Sequence, residues 1–247
     1  MPVIWPAELE HRSLTKPALR DRLWRYMDFT KFVAMLVKEG LYLARLDRLG
    51  DAYEGWIHKS PKKHYDGFFG AKHMERDREL KKQSPEFRKL FYVNCWHAND
   101  EESDAMWKLY TKGNEGIAIC TTRRNLEASL GDAPEELWFY KVMYAGPKGK
   151  PVHGGSMLRA CMTKRMPFAH EKEVRVVLYN GGLLKDCRKK DELDSGFYVK
   201  CKMATLIEQV YIAPTENPWF EPIMKDVLDK YGIDAEVVQS GLNLKPP

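Results

Sequence analysis

The sequence predicts a single α+β domain with mixed, mostly antiparallel sheets and flanking helices. Short apolar runs rich in β-branched and aromatic residues outnumber the segments with helical periodicity, and the two kinds mix without a strict βαβ order. No Gly/Ser/Pro-rich linker divides the 247 residues. We therefore expect an irregular arm at 1–22, the domain at 23–240 and a tail at 241–247.

The strand predictions come from apolar runs that are bounded by glycine or polar residues. In chain order they lie at 23–27, 41–46, 91–96, 116–120, 137–144, 174–179, 197–203, 209–212 and 235–238. The helix predictions come from apolar residues that recur three or four positions apart. They lie near 29–39, 103–110 and 219–231, with Asp28 as the N-cap and Gly40 as the end of the first helix.

The segment 55–90 is a basic insertion with a predicted helix at 68–83. It holds ten Lys or Arg and five Asp or Glu, so its excess of positive charge equals the net charge of +5 of the whole chain. A concentrated basic segment is typical of proteins that bind a polyanion, and nucleic acid is the predicted partner. The alternative is a helix that exposes mixed charges to solvent.

Glu171 and Glu173 are the predicted catalytic residues. They stand at the start of the strand predicted at 174–179, and residues two apart on a strand project from the same face. Glu171, Glu173 and Arg175 are therefore expected to face the same space. Paired carboxylates can stabilise a developing cation or activate a nucleophile. The alternative is structural, with one glutamate paired to Arg175 or Arg25.

Several short motifs occur in a distinctive order along the chain. They are Leu23–Tyr26, Leu41–Ala44, Gly50–Glu54, Asn94–His97, Ala105–Tyr110, Glu115–Ile119, Thr163–Lys164, Glu171–Arg175 and Gln209–Ala213. In order and character they resemble the bacterial and phage family called domain of unknown function 2971, over roughly residues 23–240. The name of that family supplies no function.

A more distant resemblance implies an activity. The first predicted strand is basic and aromatic and leads into a helix, and a late strand begins with Glu-x-Glu. This layout is similar to that of the ADP-ribosyltransferase fold. This resemblance implies NAD as substrate, Glu173 as the catalytic glutamate, Glu171 as its partner, and Arg25 and Tyr26 as dinucleotide contacts. It also implies ADP-ribosyl transfer, with nucleic acid as one acceptor, or NAD hydrolysis, in phage–host conflict.

Aromatic residues and a histidine complete the predicted cofactor site. Trp107 and Tyr110 are three apart on a predicted helix and could stack on a flat ligand, although such pairs more often belong to a core. His97 closes an apolar strand and could contact a ligand. A histidine at the edge of the core is the alternative.

Two further function classes stay open. Carboxylates at Asp51, Glu54 and 100–104 could bind Mg²⁺ in a nuclease, although no Asp…Glu-x-Lys arrangement accompanies them. A non-catalytic module that binds a nucleotide or nucleic acid is the other class. No metal site is predicted from cysteine and histidine spacing, and Walker, GxGxxG and Gly-x-Ser-x-Gly motifs are absent.

The cellular location is predicted from the absence of membrane-spanning and secretory sequence patterns. No apolar run approaches the length of a membrane span, and the first residues lack the pattern of a secretory signal. We expect a soluble, cytoplasmic protein with no membrane partner. The odd number and irregular spacing of the five cysteines predict reduced thiols. Oligomeric state is not predicted.

Overall fold

The structure is a computed structural model that describes residues 14–55, 85–113, 115–145, 157–180, 195–214 and 217–243. The predicted helix at 68–83, and with it most of the basic insertion, lies outside the described residues, as do much of the predicted arm and tail. The described chain is mixed α+β with mostly antiparallel strand pairing, which confirms the predicted class. A specific likeness to the ADP-ribosyltransferase fold stays a prediction.

Strands and helices mix along the described chain. The strands are β1 Arg22–Asp28, β2 Gly40–Arg45, β3 Phe91–Ala98, β4 Gly116–Thr122, β5 Leu137–Lys141, β6 Met143–Ala145, β7 Thr163–Arg165, β8 Glu173–Tyr179, β9 Gly196–Lys200, β10 Gln209–Ile212 and β11 Glu236–Gln239. The helices are α1 Phe29–Val37, α2 Asp104–Tyr110, α3 Arg123–Ser129, α4 Met157–Cys161, α5 Met203–Leu206 and α6 Phe220–Lys230. Short 3-10 helices lie at Leu46–Arg48, Met166–Glu171 and Gly241–Asn243.

The chain divides into two compact units, each assembled from separate chain segments. The described residues of unit 1 lie at 14–16, 43–55, 85–94, 136–145, 157–180 and 195–197. Those of unit 2 lie at 17–42, 95–113, 115–135, 198–214 and 217–243. Because the segments of the two units alternate along the chain, no single linker could mark the division in the sequence.

Unit 2 is built on β11, β10, β4 and β1, which pair in that order. β1 pairs antiparallel with β4 along its whole length, from Arg22 opposite Thr122 to Asp28 opposite Gly116. β4 pairs antiparallel with β10, and β10 pairs parallel with β11. Helix α1 packs on β1 and β4, and its buried side chains recur at helical spacing at Phe32, Met35 and Leu36.

Helix α1 begins after Asp28, which occupies the predicted N-cap position, but the side chain of Asp28 makes no capping hydrogen bond. Asp28 Oδ1 accepts a hydrogen bond from Lys112 N at 2.7 Å, and Phe29 N donates instead to Glu115 O at 3.1 Å. Gly40 does not end the helix but opens β2. The Asp28 carboxylate and the Phe29 N–H are thus bound by residues distant in sequence.

Unit 1 contains the antiparallel pair of β5 with β8 and the parallel pair of β6 with β7. The strand predicted at 137–144 is interrupted at Val142, whose N donates to Glu173 O at 2.8 Å. The next residue, Met143, donates instead to Met162 O, also at 2.8 Å. The backbone changes its partner at this point, so one apolar run forms two strands.

Four cysteines lie in the described residues, and none is in a disulfide there. Cys95 is partly buried, whereas Cys120, Cys161 and Cys201 are buried. Cys187 lies outside the described residues. Within the described ranges, no helix combines the length and the apolar character that crossing a bilayer requires.

Candidate functional site

Five buried charged residues meet in unit 1, and we call them the charge cluster: Glu54, Lys164, Glu171, Glu173 and Arg175. Lys164 lies on β7, whereas Glu173 and Arg175 lie on β8. Glu171 ends a 3-10 helix, and Glu54 lies in a turn. Segments distant in sequence thus bring three carboxylates and two cations together.

Lys164 is the centre of the charge cluster. Its Nζ lies 2.7 Å from Glu171 Oε2, 3.3 Å from Glu54 Oε1 and 3.4 Å from Glu173 Oε2. Burial by itself lowers the pKa of Lys164, but the three carboxylates outweigh burial and raise this pKa above its ordinary value. Lys164 is therefore a permanent cation at physiological pH.

Arg175 binds Glu173 through two hydrogen bonds. Arg175 Nε donates to Glu173 Oε1 at 2.7 Å, and Nη2 donates to Oε2 at 3.1 Å. The same Nη2 also donates to Glu54 Oε2, and Nη1 donates to Cys161 O. Bidentate pairing fixes the orientation of both partners. This pair is the structural alternative that the sequence left open for one of the two glutamates.

The two predicted catalytic glutamates do share a space, but not because both lie on a strand. Glu171 ends the 3-10 helix, and Lys172 between the glutamates adopts the left-handed conformation with φ of 40°. This turn directs both carboxylates to Lys164. Glu173 N donates to Tyr144 Oη at 2.7 Å, and burial raises the pKa of Tyr144 to about 12. The neutral phenol thereby fixes the start of β8.

The chemistry of the charge cluster follows from its charge balance. Within the described residues it holds three carboxylates against two cations, which leaves one negative charge in excess when every member is ionised. A preorganised negative site can stabilise a cation that develops in a substrate. The same burial and pairing also suit an ion network that organises the fold.

A ring–cation–ring arrangement, which we call the Arg165 stack, also lies in unit 1. The guanidinium carbon of Arg165 lies 4.7 Å from the ring centre of Tyr53 and 5.3 Å from that of Phe168. Lys164 Nζ lies 4.9 Å from the same Phe168 ring. The sequence did not predict this arrangement, because Tyr53 is far from Arg165 and Phe168 in sequence. The only local signal was a Lys-Arg pair followed three residues later by an aromatic residue.

Asp51 and Glu54, considered above as Mg²⁺ ligands, pair with cations of the protein. Arg165 Nε and Nη2 donate to the two oxygens of Asp51 at 3.0 and 2.9 Å. Burial raises the pKa of Asp51, but hydrogen bonds from Arg165 and from Tyr53 N, with the charges of Arg165 and Lys164, outweigh it and lower the pKa. In the described part of the chain, no three His, Cys, Asp or Glu residues are grouped so that they could hold a metal ion.

Arg25, a predicted dinucleotide contact, lies on β1 in unit 2 and has few partners in the part of the chain that the structure describes. Its Nη1 donates to Cys95 O at 3.1 Å, and its guanidinium carbon lies 5.9 Å from the ring centre of Trp96. No carboxylate among the described residues pairs with it. Burial lowers the pKa of Arg25, and Cys95 and Tyr198 offset only part of this effect.

The other predicted cofactor contacts also lie in unit 2. Tyr26 packs edge to face against Trp107, with ring centres 4.9 Å apart, and against His97 at 6.3 Å. Its Oη accepts a hydrogen bond from Ser103 N at 2.8 Å. These three rings are buried, whereas Tyr110 is 41% exposed.

Comparison with known proteins does not assign the chain to a family. No protein-family model matches the sequence, and no curated protein matches it. The resemblance to domain of unknown function 2971 stays a prediction. The geometry of the side chains is therefore the basis on which function is inferred.

Proposed function

We propose that this protein binds a nucleotide and that Arg25 holds one of its phosphate groups. The observation that carries the proposal is that Arg25 has few partners among the described residues. Within these residues, its one hydrogen-bond acceptor is the carbonyl of Cys95. Burial already disfavours the charged guanidinium, as the lowered pKa shows. Buried charges in proteins are normally paired. A phosphate would supply the missing negative charge and two oxygens that match the guanidinium fork.

Two neighbours of Arg25 also suit a nucleotide. Trp96 Nε1 is a buried donor that has no acceptor among the described residues. Tyr198 is 37% exposed and lies close enough to Arg25 to influence its pKa. Its ring offers a surface on which a base or a nicotinamide can pack. Among nucleotides, we propose NAD, because the resemblance to ADP-ribosyltransferases favours it.

Catalysis on NAD is the second candidate function, and the convergence of Glu171 and Glu173 on Lys164 favours it. The bond between nicotinamide and the ribose breaks, and nicotinamide leaves with the electron pair. Glu173 would stabilise the resulting ribose cation. Glu171 would accept the proton of the attacking water or acceptor hydroxyl. Nucleic acid is the proposed acceptor, in keeping with the positive charge of segment 55–90.

Calorimetric titration with NAD tests the binding proposal on the wild type and on Arg25→Gln. We expect the variant to bind about 30- to 150-fold more weakly, which corresponds to about 2–3 kcal/mol for a hydrogen-bonded charge pair. The matched control is Arg22→Gln, since Arg22 lies on the same strand and already donates to Asp100 O and Gln209 Oε1. Equal affinities of wild type and Arg25→Gln would refute the role of Arg25.

Nicotinamide release tests the catalytic candidate. Glu171→Gln and Glu173→Gln remove the charge and keep the shape, so release is expected to be lost in both. Glu221→Gln is the control, because Glu221 forms an exposed ion pair with Lys225. Unchanged release in Glu173→Gln refutes its catalytic role. If the wild type neither binds NAD nor releases nicotinamide, NAD chemistry is refuted, and a Mg²⁺-dependent nuclease assay on DNA and RNA is the next test.

A further inference from the structure

We propose that the Arg165 stack is a base-stacking site for single-stranded nucleic acid. Tyr53, Arg165 and Phe168 form it, and all three belong to unit 1. The proposal goes beyond nucleotide binding at Arg25, because it concerns different residues, a different unit and a polymeric ligand. Three observations carry it: the exposure of the stack, its preorganisation and the charge of the chain.

The stack is open to solvent. Tyr53 is 56% exposed, and the side chain of Arg165 is 46% exposed. Met166, the residue after Arg165, is exposed as well and extends the apolar surface. An aromatic side chain that serves only the core is normally buried. The exposed Tyr53 ring offers area that a flat ligand can cover.

The stack is also preorganised. Asp51 binds Arg165 through both carboxylate oxygens, and its Oδ1 accepts a further hydrogen bond from Tyr53 N at 3.1 Å. One buried carboxylate thus positions both the ring and the guanidinium. A ligand that stacks here does not need to order these side chains, so less conformational entropy is lost on binding.

The chemistry of the stack identifies the ligand class. Asp51 neutralises Arg165 and occupies part of its hydrogen-bonding fork, so the stack presents flat surfaces rather than a phosphate clamp. Bases in single strands have free faces, whereas bases in a duplex stack on each other. Two residues after Tyr53 the sequence enters segment 55–90, which holds all of the excess positive charge of the chain. A polyanion that carries flat bases matches both features.

Fluorescence anisotropy with labelled 12-nucleotide single strands of DNA and RNA tests this site. Tyr53→Ala is expected to weaken binding roughly 5- to 100-fold, the effect of losing one stacked base. Tyr53→Phe keeps the ring and is expected to bind within about twofold of the wild type. Tyr231→Ala is the matched control, because Tyr231 is 39% exposed and lies in unit 2.

The salt dependence of the affinity distinguishes the contribution of base stacking from that of charge. The slope of log affinity against log salt should be the same for the wild type and Tyr53→Ala, because stacking releases no counterions. Circular dichroism shows whether each variant folds. The site is refuted if the wild type does not bind single strands at low salt, or if folded Tyr53→Ala binds like the wild type. Neither result would contradict the proposal that NAD binds at Arg25.

Discussion

Glu173 and Arg175 form a buried bidentate ion pair along a single strand, with Nε–Oε1 and Nη2–Oε2 distances of 2.7 and 3.1 Å. Their spacing of two residues places both side chains on one face of β8. The pair holds Glu173 in one orientation and, through Glu54 and Lys164, joins it to the rest of the charge cluster. Any catalytic role of Glu173 would therefore operate within a fixed ion network.

Loss of the Arg175 guanidinium should destabilise the protein strongly. Arg175→Gln leaves buried carboxylates without their bidentate partner, so we expect the free energy of unfolding to fall by about 3–5 kcal/mol. Urea denaturation followed by tryptophan fluorescence measures this change. The control is Lys108→Gln, which removes an exposed ion pair with Asp104. It should lower the free energy of unfolding by about 0.5 kcal/mol or less. A loss below about 1 kcal/mol for Arg175→Gln would contradict a structural ion network.

The contribution of Asp51 to stability should depend on pH in the acidic range. The pKa of Asp51 is lowered in the folded state, so the carboxylate loses its proton more readily there than in the unfolded chain. Its stabilising contribution should be complete above the unfolded pKa of about 3.9 and should be lost as pH falls through the folded value. The measurement is the difference in free energy of unfolding between wild type and Asp51→Asn from pH 2.5 to 6. A difference that does not change with pH contradicts this expectation.

Gly40 should not tolerate a side chain. A Cβ at this position would lie 2.8 Å from Val199 O, and a backbone atom cannot move away easily. We expect Gly40→Ala to lower the free energy of unfolding by about 1–3 kcal/mol. Gly50→Ala is the matched control, because a Cβ there meets no atom within 4 Å. Equal stability of the two variants in urea denaturation is the contradicting result.

The Tyr26 hydroxyl should contribute to stability through Ser103. Tyr26→Phe removes the acceptor of the Ser103 N–H and keeps the ring against Trp107 and His97. We expect a loss of about 1–3 kcal/mol, because a backbone donor loses its partner next to the buried ring. Thermal or urea unfolding measures the loss. Tyr231→Phe, at an exposed ring, should have no effect, and a similar absence of effect for Tyr26→Phe would contradict this role.

Much of the fold could be predicted from local pattern. The strands β1, β3, β4, β8 and β10 and the helices α1, α2 and α6 lie close to their predicted positions. The elements β7, α3, α4 and α5 were not predicted, because they span only three to seven residues and such lengths carry little periodicity. Asp28 is the N-cap of α1 as predicted, but its carboxylate accepts a hydrogen bond from the backbone of Lys112, distant in sequence, and not from the helix.

The candidate site was predictable only in part. The proximity of Glu171, Glu173 and Arg175 follows from their spacing in the sequence, although the turn at Lys172, rather than a continuous strand, positions Glu171. The burial that lowers the pKa of Arg25, and the burial of Tyr26, Trp107 and His97, do not follow from the sequence. Burial depends on how distant segments pack, and no local pattern reports it.

Local side-chain pattern was enough to determine the α+β class and the order of the main strands along the chain, because strand and helix periodicity are properties of neighbouring residues. The closeness of Glu171 and Glu173 follows from their separation by one residue. The tertiary structure decided which cations those glutamates meet. Glu54 lies 121 residues before its partner Arg175, and Lys164 joins Glu54 to Glu171 and Glu173, which lie in a distant part of the chain. Ion pairing depends on distance in space and on burial, and only the folded chain sets these two quantities.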